Sequence, residues 1–565
     1  MSFPDLPASD LLRKFDQDPE NDALVREVHR RIIDPSLSQD LFKEIESLKD
    51  AFDKQSPSSL QRTEEFHRYV WENCIGEQKC FPKDLRKPQK LEDLSAAVRD
   101  GKNQNLQVRA VGSGHSFSNI CPTSGILLDP HGMNQLLTID PSTLKTPSAA
   151  ENYVFVESGI TLKDLNQKLD KNQKALATLG AYDGQTLAGA ISTGTHGSGV
   201  TLGNLASLVR AIVLVSESGT VYQIEPKDGI TDPTKFAPEP GVVAQVLKQD
   251  DDWFRSALVA MGCLGLIHSY ILEVVPAFLL SEKRCVTTWQ TFKSQLAGGI
   301  SSEPLSNRYF EIDINPYVTA GVNVAVTTVR NVPPAGTKPG GGRGFGNWLA
   351  GLIAQWSFAE KALVGFLNHR PGSSPGFITR GLNTLQTNHY VDKSFKVLNI
   401  GPVDNIKAYA MELSFDATQD IVKIIDRILA LFQRAANEHK WYLAGPFAMR
   451  FVKSSDAFLA PQEGRTTMMV EMDMLYGIDT GQQLLKFMTQ ELCSGPEGEG
   501  VRVHWGLDLD TVQKGDLAKR YPQSDKWLAV YRQLNSTGIW NSPLTDRLGI
   551  SMPTKQHSFA PQARL

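Results

Sequence analysis

Apolar and polar positions follow two different periods along this chain. Val154–Val156, Arg210–Val215, Thr220–Ile224 and Asn323–Val329 are short runs dense in β-branched and apolar residues, which predicts strands. Leu162–Asp170 and Ile421–Ala436 repeat apolar residues every three or four positions, which predicts amphipathic helices. Ser216-Glu217-Ser218-Gly219 between two of the strands carries hairpin-turn residues. Further upstream, Asp22–Ile33 and Leu41–Lys54 read as polar helices with i,i+4 charge pairs, and no basic start followed by an apolar run marks a secretory signal. The implied organisation is a helical extension (1–70), an α+β domain with Gly-rich turns (71–278) and an antiparallel-sheet domain with helices on one face (279–490). A segment returning to the first domain (491–550) and a polar tail (551–565) complete it.

Composition narrows the class without naming a chemistry. At 565 residues with 41% hydrophobic and 21% charged content, the chain reads as a multidomain globular protein. A net charge of −4 argues against nucleic acid as a partner. The six cysteines are scattered without metal-ligand spacing, so they are expected to be buried free thiols, and no metal site is expected. Pro333–Gly346 reads as a mobile Pro/Gly-rich loop. The apolar stretch Asn347–Leu367 is too charged at Glu360 and Lys361 for a spanning helix; a buried helix is favoured over one lying on a membrane surface.

Two motifs carry the chemistry. The strand-like Val108–Val111 breaks into Gly112-Ser113-Gly114-His115-Ser116. Glycines there allow a close backbone approach, and successive N–H groups form an anion cradle suited to a pyrophosphate. The second motif spans Leu179–Gly199 and includes Gly180, Asp183, Gly189, Ser192, Thr193, Gly194, Thr195, His196 and Gly197. Its glycines and hydroxyl residues suit backbone lying against a large planar ligand rather than core packing. A nicotinamide fold is disfavoured, because no Gly-x-Gly-x-x-Gly stands between a strand and a helix with an acidic residue about twenty positions on.

With both motifs in this order, the chain resembles the vanillyl-alcohol-oxidase (VAO, PCMH-like) flavin oxidoreductases, nearest the aldonolactone and alditol oxidases. Trp71-Glu72-Asn73, Pro88–Leu94, Gly262–Ile267, Arg450 with Phe451–Asp456, His504-Trp505-Gly506, Tyr521-Pro522 and Trp540–Pro543 match further family elements in sequence. The resemblance implies a two-domain α+β fold with an FAD-binding domain and a substrate or cap domain. It implies FAD bound covalently through His115. Cofactor contacts are expected from Gly112, Ser113, Gly114, Ser116 and the second motif, and also from Ile267, Trp505 and Asn541. It implies oxidation of an alcohol or lactone CH–OH, with molecular oxygen reduced to hydrogen peroxide. A dehydrogenase using a quinone or protein acceptor, and a flavin-binding protein without alcohol oxidation, are the alternatives.

The chain departs from the alditol oxidases at two positions. Their Glu-x-Arg reads Ala448-Met449-Arg450, and the lysine after His-Trp-Gly is Leu507. Arg450 therefore needs another carboxylate, for which Glu412, Glu471 and Asp473 are candidates. Loss of two charges points to a substrate less polar than a simple alditol or aldonolactone. Arg450, Glu412 and His504, the last as base, are the expected catalytic groups. The terminal Ala563-Arg564-Leu565 resembles a peroxisomal address, so a cytoplasmic or peroxisomal location is expected.

Overall fold

Three short parallel strands, β1 (Asp84–Arg86), β2 (Val108–Ala110) and β3 (Ile126–Leu128), place the Gly112–Ser116 loop directly after β2. The computed structural model describes residues 71–237, 244–343, 357–400, 407–507 and 511–554. The helices expected before residue 70 and the tripeptide Ala563-Arg564-Leu565 lie outside the described residues. Helix α1 (Leu91–Gln104) connects β1 to β2 and buries Leu94, Ala97 and Val98, the stripe its spacing dictates.

Arg109 on β2 ties this sheet to distant segments. Its guanidinium, 1% exposed, donates from Nη1 to the carbonyls of Gly262 (2.7 Å) and Trp540 (2.9 Å), and from Nη2 to those of Ile120 (2.7 Å) and Met261 (2.8 Å). Met261 and Gly262 both have left-handed backbone (φ 51° and 68°). Arg109→Met removes four donated hydrogen bonds, three of them to buried acceptors. It should cost at least about 3 kcal/mol, since each such loss costs about 1–3 kcal/mol. The urea unfolding midpoint of the holoenzyme reports this; an unmoved midpoint would remove the stapling role.

A second sheet holds the body of the first domain. Its strands are β4 (Leu136–Leu137), β5 (Tyr153–Glu157), β6 (Val209–Val215), β7 (Val221–Glu225), β8 (Val246–Gln249) and β9 (Leu266–Glu273), in the order β8-β7-β6-β9-β5-β4. All pairs are antiparallel except β7/β8. The β6/β7 hairpin closes through Ser216–Thr220 as its turn residues predict. Helix α2 (Leu162–Lys171) starts at Thr161, whose hydroxyl accepts from Asp164 N–H at 3.1 Å.

The second glycine-rich motif corrects one expectation. Leu187–Thr193 forms a helix, α3, capped by Thr186 and ended by left-handed Gly194 (φ 85°). Leu187, Ala190 and Ile191 are 0–1% exposed and belong to the main core, so packing is one of the motif's roles. Small residues let this helix lie close to the turn at Leu205–Leu208 and the helix Asp251–Leu258, which hides its few apolar side chains.

Among the described residues, the second domain is built on one antiparallel sheet of nine strands. They are β10 (Leu279–Thr288), β11 (Tyr309–Ile314), β12 (Val324–Asn331), β13 (Gly340–Gly341), β14 (Thr387–Lys393), β15 (Ala408–Asp416), β16 (Phe447–Val452), β17 (Thr467–Leu475) and β18 (Arg502–Val503), in the order β13-β14-β10-β12-β11-β16-β17-β15-β18. Alternation along each strand gives the sheet two unlike faces. Phe447, Met449, Phe451, Met411, Val470 and Met472 point to one face. There they meet helices Ile421–His439 and Gly481–Leu492, with Phe432 stacked on Phe447 at 5.8 Å. The other face carries charged residues and turns toward the first domain.

Two further expectations change in detail. Gly340–Gly341 in the supposed mobile loop pairs with β14, and Arg343 binds Glu282 at 2.9 Å, so the described part of that loop is anchored. In the apolar stretch, Ser357–His369 is a helix whose Leu367 is buried; residues 347–356 lie outside the described residues. No described helix is long and apolar enough to cross a membrane. After β18 the chain reaches the first domain. Trp527 Nε1 donates to Ser256 O at 3.2 Å, and Val108 N–H donates to Ile539 O at 2.9 Å.

Candidate functional site

The loop after β2 is built to present backbone donors. Gly114 adopts φ 70°, a region that suits glycine, and a Cβ on Gly112 would stand 2.0 Å from Thr186 Oγ1, at the cap of α3. Asn73 supports the loop by donating to Ser116 O at 3.0 Å, and Ser113 Oγ donates to Gly184 O at 2.6 Å, joining the two motifs. Among the described residues, the N–H groups of Gly112, Ser113, Gly114, His115 and Ser116 have no hydrogen-bond acceptor, although Val111 and Phe117 on either side do. Five consecutive free donors fit the phosphate and ring oxygens of a bound dinucleotide. Buried hydroxyls without partners on Ser158 and Thr195 fit the same group.

His115 packs its ring against Tyr182 at a centroid distance of 4.1 Å. Burial pushes its pKa down to about 4, so the imidazole is neutral and a ring nitrogen keeps its lone pair. The sequence reading missed a second histidine here. His131 Nε2 lies 3.4 Å from Ser113 Oγ, and its Nδ1 bonds Asp129, which raises the His131 pKa. Its signal was Asp129-Pro130-His131-Gly132, an acid two residues before a histidine in a tight turn.

His196 closes the opposite side. Its Nδ1 lies 2.8 Å from Gly197 O, a pure acceptor, and its Nε2 lies 3.0 Å from Glu412 Oε2. Burial works to lower the His196 pKa, but the Glu412 charge and hydrogen bond outweigh it and raise the pKa. Both ring nitrogens therefore donate, as an imidazolium paired with a carboxylate. Glu412 shifts the other way, to about 2: burial opposes the shift, and His196, His504 and Arg450 outweigh burial.

The charged face of the nine-stranded sheet forms the rest of the site. Direct cross-strand partners share a face, so the register places Asp313, Ala448, Glu471 and Glu412 in one row, with His504 N–H bonded to Glu412 O at 3.1 Å at its end. Arg450 stands one row away. Its Nε donates to Glu311 Oε1 at 2.7 Å, its Nη1 binds Glu471, and Glu412 Oε1 lies 4.0 Å off. Of the three candidate partners, Glu471 is bonded, Glu412 is near, and Asp473 makes no ion pair among the described residues. Glu311 and Asp313 were missed, although the alternation in Tyr309-Phe310-Glu311-Ile312-Asp313-Ile314 aligns both acids on one strand face.

Three expectations need correction. His504 Nδ1 accepts from Gly506 N–H at 3.1 Å and burial pushes its pKa down to about 4, so the ring proton sits on Nε2 and the group is a donor rather than a ready base. Asn541 engages its own segment: Oδ1 accepts from Tyr531 OH, Asn535 Nδ2 and Met552 N–H, and Nδ2 donates to Met552 O. Trp505 is fully buried, with its indole N–H on Leu459 O at 2.6 Å, and it stacks on Tyr521. The side-chain polar atoms of both are thus taken by protein partners. Ile267 on β9 is half-buried, and Asp183 is half-buried with its pKa raised by burial. His196, Glu412 and His504 place ligand-type atoms within 4.8 Å of one another; His196 Nε2 bonds Glu412, and the His504 ring lies 5.9 Å from the His196 ring.

Residues 82–225 match the FAD binding domain family and residues 271–548 match the D-arabinono-1,4-lactone oxidase family. An L-gulono-1,4-lactone dehydrogenase from Mycobacterium tuberculosis (strain H37Rv) is 25% identical over 484 residues, covering 85% of this chain and 99% of the relative. An L-gulonolactone oxidase from Bos taurus is 27% identical over 483 residues, covering 83% and 95%. Among solved structures, cholesterol oxidase from B. sterolicum superposes with a TM-score of 0.65 at 14% identity, covering 85% of this chain and 96% of that one.

Proposed function

The chain belongs to the FAD-dependent aldonolactone oxidase family, and from that premise we propose that it oxidises a CH–OH carbon of a hydroxylated lactone, with FAD attached through His115 and molecular oxygen reduced to hydrogen peroxide. Bound FAD supplies the hydride acceptor. The N–H groups of residues 112–116 would hold its phosphate and ring oxygens, and the neutral His115 ring offers the nitrogen for the covalent bond.

Arg450 has the role of binding and polarising the substrate oxygen, fixed between carboxylates on two neighbouring strands. Glu412 Oε1, buried and without a hydrogen-bond partner among the described residues, would accept the hydrogen bond of the reacting hydroxyl and take its proton as the hydride leaves the carbon, and His504 Nε2–H donates beside it. The observation that carries this reading is the convergence of Arg450, Glu412, His196 and His504 from both domains. That same face argues for a more polar substrate than the apolar residues Ala448 and Leu507 alone imply, because Glu311 and Glu471 supply the carboxylates for Arg450.

The test is aerobic turnover of L-gulono-1,4-lactone and D-arabinono-1,4-lactone with peroxidase-coupled detection. Peroxide should form one-for-one with lactone consumed. The mycobacterial relative is named a dehydrogenase, so dye reduction without peroxide would assign the electrons to another acceptor. No turnover of either lactone would reject the reading.

A further inference from the structure

β11 and β16 part company beside the Arg450 ion pair. Their ladder runs from Ile314 opposite Phe447 to Glu311 opposite Arg450 and ends there. Both strands go on: β11 still pairs with β12 at Phe310 and Tyr309, and β16 still pairs with β17 at Phe451 and Val452. The open step between Phe310 and Phe451 is filled by Ser198 and Gly199, at the end of the second glycine-rich motif. Ser198 Oγ accepts from Phe451 N–H at 3.1 Å and donates to Phe310 O, standing where a direct cross-strand bond would run. Gly199 N–H donates to Phe451 O at 2.5 Å, and Lys453 N–H donates to Leu202 O at 2.9 Å. Glycine is required at 199, where φ is 141° and a Cβ would stand 2.3 Å from Arg308 O.

The peptide groups that Ser198 bridges flank that ion pair. Phe451 N–H follows Arg450 in the chain, Phe310 O precedes Glu311, and Arg450 Nε donates to Glu311 Oε1 at 2.7 Å. Two residues before Ser198, His196 Nε2 bonds Glu412 at 3.0 Å. One short run of the first domain therefore grips the strand of Arg450 and the side chain of Glu412 together. We propose that Ser198 is a positioning residue: wedged between β11 and β16, it fixes where the Arg450 guanidinium stands relative to the flavin-binding domain. The Ser198 side chain is 1% exposed and already both donates and accepts, so it acts through the strand that carries Arg450 and not on a ligand. A shift of about 1 Å in a group that orients the reacting atoms can cost about a hundredfold in rate. The inference rests on the role of Arg450 in the lactone reading above.

The experiment is a double-mutant cycle on kcat/KM for L-gulono-1,4-lactone, with holoenzyme preparations of wild type, Ser198→Ala, Arg450→Met and the double variant. Ser198→Ala should cost about tenfold when Arg450 is present, and no more than about twofold once Arg450→Met has removed the group it positions. Flavin content per polypeptide, read from the visible absorbance, should match the wild type in Ser198→Ala. Ser198→Cys keeps a weaker donor and acceptor and should lose about threefold beside Arg450 and nothing beside Arg450→Met. The cysteine pair carries the same comparison where the alanine protein does not fold. Equal losses in both backgrounds, as a merely structural serine would give, would overturn the role. So would full activity in Ser198→Ala, or a flavin content that falls with activity. A wild type that turns over neither L-gulono-1,4-lactone nor D-arabinono-1,4-lactone would instead remove the lactone reading, and the role of Ser198 with it.

Discussion

Arg450→Met should lower kcat/KM at least about a hundredfold, the loss expected for removing one preorganised charge-stabilising donor. The same change should destabilise the fold by about 3 kcal/mol, because it removes a half-buried cation from Glu311 and Glu471. Arg450 separates Glu311 from Glu471, and its charge, with that of Arg330, holds the Glu311 carboxyl near a pKa of about 2 despite burial. Without the guanidinium, the two acids face each other across the sheet. Arg450→Lys should rescue little, since a single ammonium point cannot reproduce a fork that spans two strands. Steady-state kinetics and the thermal midpoint of the same preparations check both effects. A lysine variant within threefold of wild type would show that charge alone suffices.

Glu412→Gln should also lower kcat/KM about a hundredfold or more, through loss of the acceptor at the reacting hydroxyl. It should further change how stability depends on pH. In the wild type, the Glu412 contribution is complete above the ordinary carboxylate pKa of 4.5 and is lost as pH falls toward about 2. The His196 contribution is complete below the ordinary value of 6.5 and is lost as pH rises through its raised pKa. The pair therefore stabilises most between those ordinary values and weakens on the alkaline side. In Glu412→Gln, burial and the Arg450 charge act on His196 against the Gly197 hydrogen bond, so the ring should turn neutral and the alkaline decline should flatten. Thermal midpoints from pH 5 to about 10 measure this. Equal slopes above pH 6.5 in both proteins would break the link between His196 and Glu412.

Local signals carried much of this architecture. The hairpin after Val209, helices α2 and Ile421–His439, and the loop after β2 were readable because period, caps and turn residues act within a few positions. The cross-strand lattice was not readable. Glu311, Glu471 and Ala448 lie on three strands far apart in sequence, and only register makes them neighbours. That is why two apolar replacements read as a loss of charge when the sheet supplies carboxylates from adjacent strands. His504 was misjudged for a related reason, since its tautomer is set by the Gly506 N–H. The second glycine motif was read as ligand-facing backbone without a packing role, because its packing partners come from other parts of the chain.

The most direct test of a covalent flavin oxidoreductase is acid precipitation of the purified protein, followed by visible and fluorescence spectra of pellet and supernatant. In the wild type, yellow flavin should stay with the polypeptide, and in His115→Ala it should pass wholly into the supernatant. Flavin released from both proteins, or retained equally by both, would contradict attachment through His115.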